Sequence, residues 1–145
     1  MSKTFSLQEA TTLLPVLEAL LKRARAAATR GADLDLEMRQ LSHKIFLAGG
    51  THVNVAVAAR RRAERDKASQ ETKDTVAEIE AIGVTVQDLE AGLLDFPSQK
   101  DGRAVLLCWK LGESSIGHWR GVEDGVDERR PLDGQFGKSD RERLN

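Results

Sequence analysis

The spacing of apolar positions changes once along the chain, near Gly83. Before it, apolar residues recur three and four apart, the period of a helix with one buried face. Leu7, Ala10, Leu14, Leu17, Leu21, Ala24 and Ala28 form such a seam, which Leu13, Val16 and Leu20 widen. Ser6 and Glu9 have capping-box spacing, in which a hydroxyl and a carboxylate each take a free backbone amide. Pro15 removes one backbone hydrogen bond inside the seam and predicts a kink. Gly31 is expected to end this helix. Leu34, Met38, Leu41 and Ile45 predict a second one from about Asp33 to Ala48, stopped by Gly49-Gly50. A third is expected from about Thr51 to Ile82, although Val53, Val55 and Val57 alternate like a strand at its start. Its closing stripe is Thr72, Thr75, Val76, Ile79 and Ile82, and Gly83 supplies the stop. Its middle, Arg60 to Glu71, has only Ala63 and Ala68 as apolar residues, so it either meets a partner through alanines or stands in water.

Beyond Gly83 the period shortens and β-branched residues and glycines cluster. Short strands are expected at 84–86, 93–97, 104–110 and 116–119, with Asp101-Gly102 as a hairpin turn and 112–115 as the next turn. The chain therefore reads as one α+β domain over residues 1–145. A long helical hairpin or three-helix layer (5–83) is followed by a small antiparallel β-meander (84–120) and an irregular, partly disordered C-terminal tail (121–145).

Register turns these strands into a candidate site. A two-residue turn at Asp101-Gly102 pairs Lys100 with Arg103, Phe96 with Leu107 and Asp95 with Cys108. Leu94, Phe96, Val105, Leu107 and Trp109 then share the core face, while Leu93, Asp95, Leu106, Cys108 and Lys110 share the other. If the next turn pairs Lys110 with Ile116, His118 also falls opposite Cys108. Asp95, Cys108 and His118 would then form one row, which could be a thiol nucleophile with an acid and a base, or three zinc ligands with an open position. Against catalysis, a neighbouring carboxylate raises a thiol's pKa, and the acid flanks the cysteine rather than the histidine. Against a metal, the chain has no close-spaced CxxC or HxxxH pair. Packing is the leading reading of Cys108. Asp95 on a packing-rich strand needs a partner, for which Arg130 is the expected residue.

Charge and composition narrow the function. With 22 basic and 23 acidic residues the net charge is −1, which argues against a general nucleic-acid or anionic-membrane binder. Arg60-Arg61-Arg62 points in three directions around a helix and is interrupted by Glu64 and Asp66, so it reads as a solvated surface. Only six residues are aromatic and none is tyrosine, which nearly excludes stacking platforms. The lone Cys108 cannot make an internal disulfide, so a reducing, cytoplasmic setting is the default. The apolar stretch Leu13 to Leu21 contains Pro15 and Glu18 and reads as neither signal peptide nor membrane span. His43 and His52 lie near the glycine pair without a nearby thiol, and Glu113 is expected to accept hydrogen bonds within its turn.

Five sequence blocks carry a resemblance. They are Phe5-Ser6-Leu7 with Leu14-Pro15; Leu93-Leu94-Asp95-Phe96-Pro97; Leu107-Cys108-Trp109-Lys110-Leu111-Gly112-Glu113; Ile116 with Trp119; and Gly125 with Arg130-Pro131-Leu132. Together they resemble the small prokaryotic family called domain of unknown function 2203, over roughly Phe5 to Leu132. The resemblance implies no established activity. It groups Asp95, Cys108, Trp109 and Glu113, and it departs from the family pattern at His118, a position often aromatic, and at Arg120, where a histidine is common.

The expected protein is cytoplasmic and non-enzymatic, with no cofactor and no metal. It acts by self-association, most simply as a homodimer, or by binding a protein partner through its helices, without membrane or nucleic-acid contact. The alternative is a small-ligand or metal-dependent site on the meander, drawn from Asp95, Cys108, Trp109, Glu113, His118 and Arg130.

Overall fold

The capping box forms as spaced. Ser6 N donates to Glu9 Oε1 and Glu9 N to Ser6 Oγ, both at 3.0 Å, which opens helix α1, Leu7–Leu47. The computed structural model describes residues 3–47 and 55–132. Gly49-Gly50, His52 and Val53 lie outside the described residues, as do the residues beyond Leu132.

α1 runs through Gly31 without interruption, so the expected first and second helices are one. A single glycine costs a helix about 1 kcal/mol, and the alanine-rich turns before it, together with packing against Ala68, offset that cost. The helix also continues through Pro15, which lies on its exposed side. Helix α2 spans Val55–Ile82 and stops at Gly83, whose φ of +108° only glycine adopts readily. Two long helices therefore replace the three-helix alternative.

Five strands follow: β1 Thr85–Asp88, β2 Leu93–Lys100, β3 Arg103–Lys110, β4 His118–Gly121 and β5 Arg130–Pro131. They form an antiparallel meander in the order β1-β2-β3-β4-β5. Asp101 and Gly102 both have positive φ, the requirement of the tight hairpin turn that sets the β2–β3 register. Residues 122–132, the described part of the expected tail, carry some regular structure. A 3₁₀ turn at Val126–Glu128 leads into β5, and Leu132 N donates to Gly117 O at 2.9 Å.

The chain divides into two compact units. The sheet unit contains the chain up to Leu21 and from Val76 onward. Its core brings Leu14, Leu17 and Leu21 of α1 and Ile79 of α2 onto Leu94, Phe96, Leu107 and Trp109 of the sheet. Phe5 packs edge-on against Phe96 at 5.9 Å, and its backbone is held to the strand by Phe5 N→Pro97 O (2.7 Å) and Ser98 Oγ→Phe5 O (2.6 Å). Leu13 and Leu20 reach this core, but Val16 is exposed rather than part of a wider buried face.

The helix-pair unit contains Lys22–Thr75. Its helices run antiparallel, since Arg23 meets Glu71, Asp35 meets Arg65 and Glu37 meets Arg61. The polar middle of α2 is thus occupied by cross-helix ion pairs, with Ala68 buried beside Gly31 and Ala63 exposed. Among the described residues, no helix is long and apolar enough to cross a membrane.

Candidate functional site

The observed register pairs Asp95 with Cys108 and Cys108 with His118, so the three stand in one row across β2, β3 and β4. Thr85 and Pro131 extend that row to the two edge strands. Side chains alternate across a sheet, so this face is opposite the one that carries Leu94, Phe96, Leu107 and Trp109. Asp95 and Cys108 are buried, and His118 is partly exposed.

The partner of Asp95 is Arg120, not Arg130. Arg120 Nη2 donates to Asp95 Oδ2, and both side chains are buried. Arg120 pairs with Leu106, two residues from Cys108 on the same face, so its long side chain crosses β3 diagonally to reach β2. Arg130 is exposed on β5, with its guanidinium 5.2 Å from the Trp119 ring centroid. Lys100 lies 4.8 Å from the same ring. Arg130 thus fastens the last strand through an aromatic face rather than a carboxylate.

Arg120 also donates through Nη1 to the carbonyl of Asp124. The Asp124 carboxylate accepts from Gly121 N at 3.0 Å, and Asp124 N returns a bond to Gly121 O. One buried guanidinium therefore links β2, β4 and the turn that follows β4. Burial works against its charge, but the adjacent Asp95 carboxylate more than offsets this and holds the Arg120 pKa above its ordinary value.

Cys108 lies against this ion pair. Burial pushes its thiol up, the Asp95 charge pushes it further, and Arg120 only partly compensates, leaving it at about 11. The thiol is therefore protonated at neutral pH and lacks the thiolate character of a nucleophile. Its Sγ is 3.8 Å from Leu106 O, a weak donor contact.

Glu113 spends its groups on its own turn. Oε1 accepts from Lys110 N at 2.7 Å, and its carbonyl accepts from Trp109 Nε1 at 3.1 Å. Oε2 lies 3.9 Å from His118 Nδ1, too far for a hydrogen bond, and that buried nitrogen has no hydrogen-bond partner. Trp109 sits on the core face, so it is separated by the sheet from Cys108. Among the described residues, no three His, Cys, Asp or Glu side chains are arranged to hold a metal ion.

Sequence reasoning missed Arg120 and Asp124. Arg120 had a usable signal, because it stands two residues after His118 on the face that carries Asp95.

A family model described as "Uncharacterized conserved protein (DUF2203)" matches residues 3–132. The chain belongs to this family. The match covers both helices and all five strands, so the family pattern includes the row on the outer sheet face as well as the helix pair. No curated protein and no solved structure matches the chain.

Proposed function

We propose that this member of the family is a non-enzymatic cytoplasmic protein that works by self-association through its helix-pair unit. The observation that carries this reading is the unfinished burial of that unit. Phe46 is 80% exposed and Val55 is 71% exposed, one on each helix. Val55 also borders a groove of about 450 Å³, together with Met38, Leu41, Ile45 and Ala58. Two helices have a single mutual seam, and apolar residues beyond it need another layer to cover them. On the outer sheet face, Asp95 is held by Arg120 and Glu113 is engaged with its own turn, which leaves the helix pair as the favoured contact surface. The test is light scattering of the full chain from 1 to about 100 µM. A mass that climbs toward twice 16.0 kDa is expected. A mass fixed at 16.0 kDa over that range would overturn the reading.

A further inference from the structure

The two sides of the helix pair differ. One side is laced with ion pairs, Arg23–Glu71 and Arg61–Glu37. The other has a concave seam, crossed partway along by the Asp35–Arg65 pair. Its first part, about 560 Å³, is lined by small residues such as Ala28, Gly31 and Ala32 and by the charged Asp35, Arg65 and Lys73. Its second part leads past Met38 and Ser42 to Ile45 and Val55. Phe46 follows Asp35, Arg39 and Ser42 at helical spacing, so it belongs to this side, whereas Leu47 continues the stripe of Leu36, Gln40 and His43.

Resting on the self-association proposed above, we infer that this concave seam is the contact face and that its occupant is the same face of a second copy, antiparallel about a two-fold axis. The seam is hollow at one end, where alanines and a glycine lie beside charged side chains, and carries a protruding aromatic at the other. An antiparallel two-fold brings the Phe46 end of each copy onto the hollow end of its mate. Arg62 and Asp66, one turn apart, both line the seam. An axis passing between them sets each Arg62 opposite the mate's Asp66, as a self-complementary contact requires. From Ala28 to Phe46 the face is about 27 Å long and about 20 Å wide, or roughly 1,100 Å² for two copies, the lower end of a specific interface.

Charge gives the contact a distinctive signature. Lys22–Thr75 contains twelve basic and seven acidic residues, a surplus of five that two copies must bring together. Salt screens this repulsion, so association tightens several-fold between 50 and 500 mM salt. An acidic protein or a polyanion on the same face would be released by salt instead.

Sedimentation equilibrium of the full chain tests the face. Phe46→Asp is expected to weaken the dimer at least tenfold, while Leu47→Asp, its exposed neighbour on the other side, leaves it unchanged. Arg62→Asp weakens it similarly, and adding Asp66→Arg restores it. Equal losses from Phe46→Asp and Leu47→Asp, or no rescue by the double charge swap, would overturn the face while leaving self-association standing. A chain that stays monomeric at all salts overturns both. Dimers that loosen with salt would overturn the face-to-face pairing in favour of an oppositely charged contact.

Discussion

The sheet unit buries whole side chains, including Trp109, Phe96, Leu17 and Leu107, between helix segments and one face of five strands. The helix-pair unit buries mainly Ala24, Ala27, Leu34, Ala68 and Thr75 among the described residues. The same α1 supplies both, so the difference is not one of helix quality. A sheet offers a broad second layer against which leucines interdigitate, while a lone helix partner offers only a narrow seam suited to alanine. Polar groups divide in the same way. Asp95 and Arg120 are sealed inside the sheet unit, whereas the ion pairs of the helix pair lie at its surface, where water and salt weaken them. The first unit buries its large apolar side chains, and the second leaves Phe46 and Val55 exposed.

The largest expected effect comes from opening the sealed pair. Asp95→Ala leaves the Arg120 guanidinium buried without its carboxylate and should cost about 3–5 kcal/mol in urea unfolding. Replacing both, as Asp95→Leu with Arg120→Met, should recover most of that loss, because no orphaned charge remains. A loss under about 1 kcal/mol for the single substitution would mean that this face is less sealed than described.

Next is a matched truncation in the two cores. Leu107→Ala should cost about 4 kcal/mol and Leu34→Ala about 2, because a thin two-helix seam can close around the smaller side chain. Equal losses would remove the contrast between the units.

The thiol gives a pH-dependent effect confined to the sheet unit. Cys108 ordinarily ionises near 9 but holds its proton to about 11 in the folded chain. Its contribution is therefore intact below pH 9 and is lost as pH rises from 9 to 11, by at most about 1.4 kcal/mol per pH unit. Cys108→Ala should flatten that decline, and the native thiol should label slowly at pH 7. Rapid labelling at pH 7 would contradict the burial of this row.

The smallest effect has the opposite sign. A Cβ at Gly31 would lie 3.7 Å from Ala68 Cβ, an ordinary contact. Gly31→Ala should therefore stabilise the helix pair by about 0.5–1 kcal/mol, read as a higher Tm. A drop in Tm would show that this seam needs closer approach than the alanines allow.

Much of the sheet was legible before any coordinates. Asp101-Gly102 fixes one register because both residues tolerate positive φ, and the period of two then assigns every side chain of β2 and β3 to a face. The row of Asp95, Cys108 and His118 follows from counting. The partner of Asp95 did not, because a carboxylate in a row has candidates on every strand within reach of a long side chain. Arg130 was close in sequence pattern but stacks on Trp119, and Arg120 won because it shares the outer face. Gly31 misled for a related reason, since glycine carries a local helix penalty that packing against Ala68 of the other helix can override.

The sequence by itself determined the local features: the capping box at Ser6 and Glu9, the hairpin turn, the stop at Gly83 and the face alternation of the strands. Each depends on residues within a few positions of one another, whose geometry is set by backbone sterics and nearby hydrogen bonds. Only the tertiary structure decided the rest. It made α1 one helix, gave Asp95 to Arg120, folded residues up to Leu132 into the sheet and left Phe46 and Val55 uncovered. These outcomes depend on which distant surfaces remain to be filled after the local elements have formed, and that competition is decided in three dimensions.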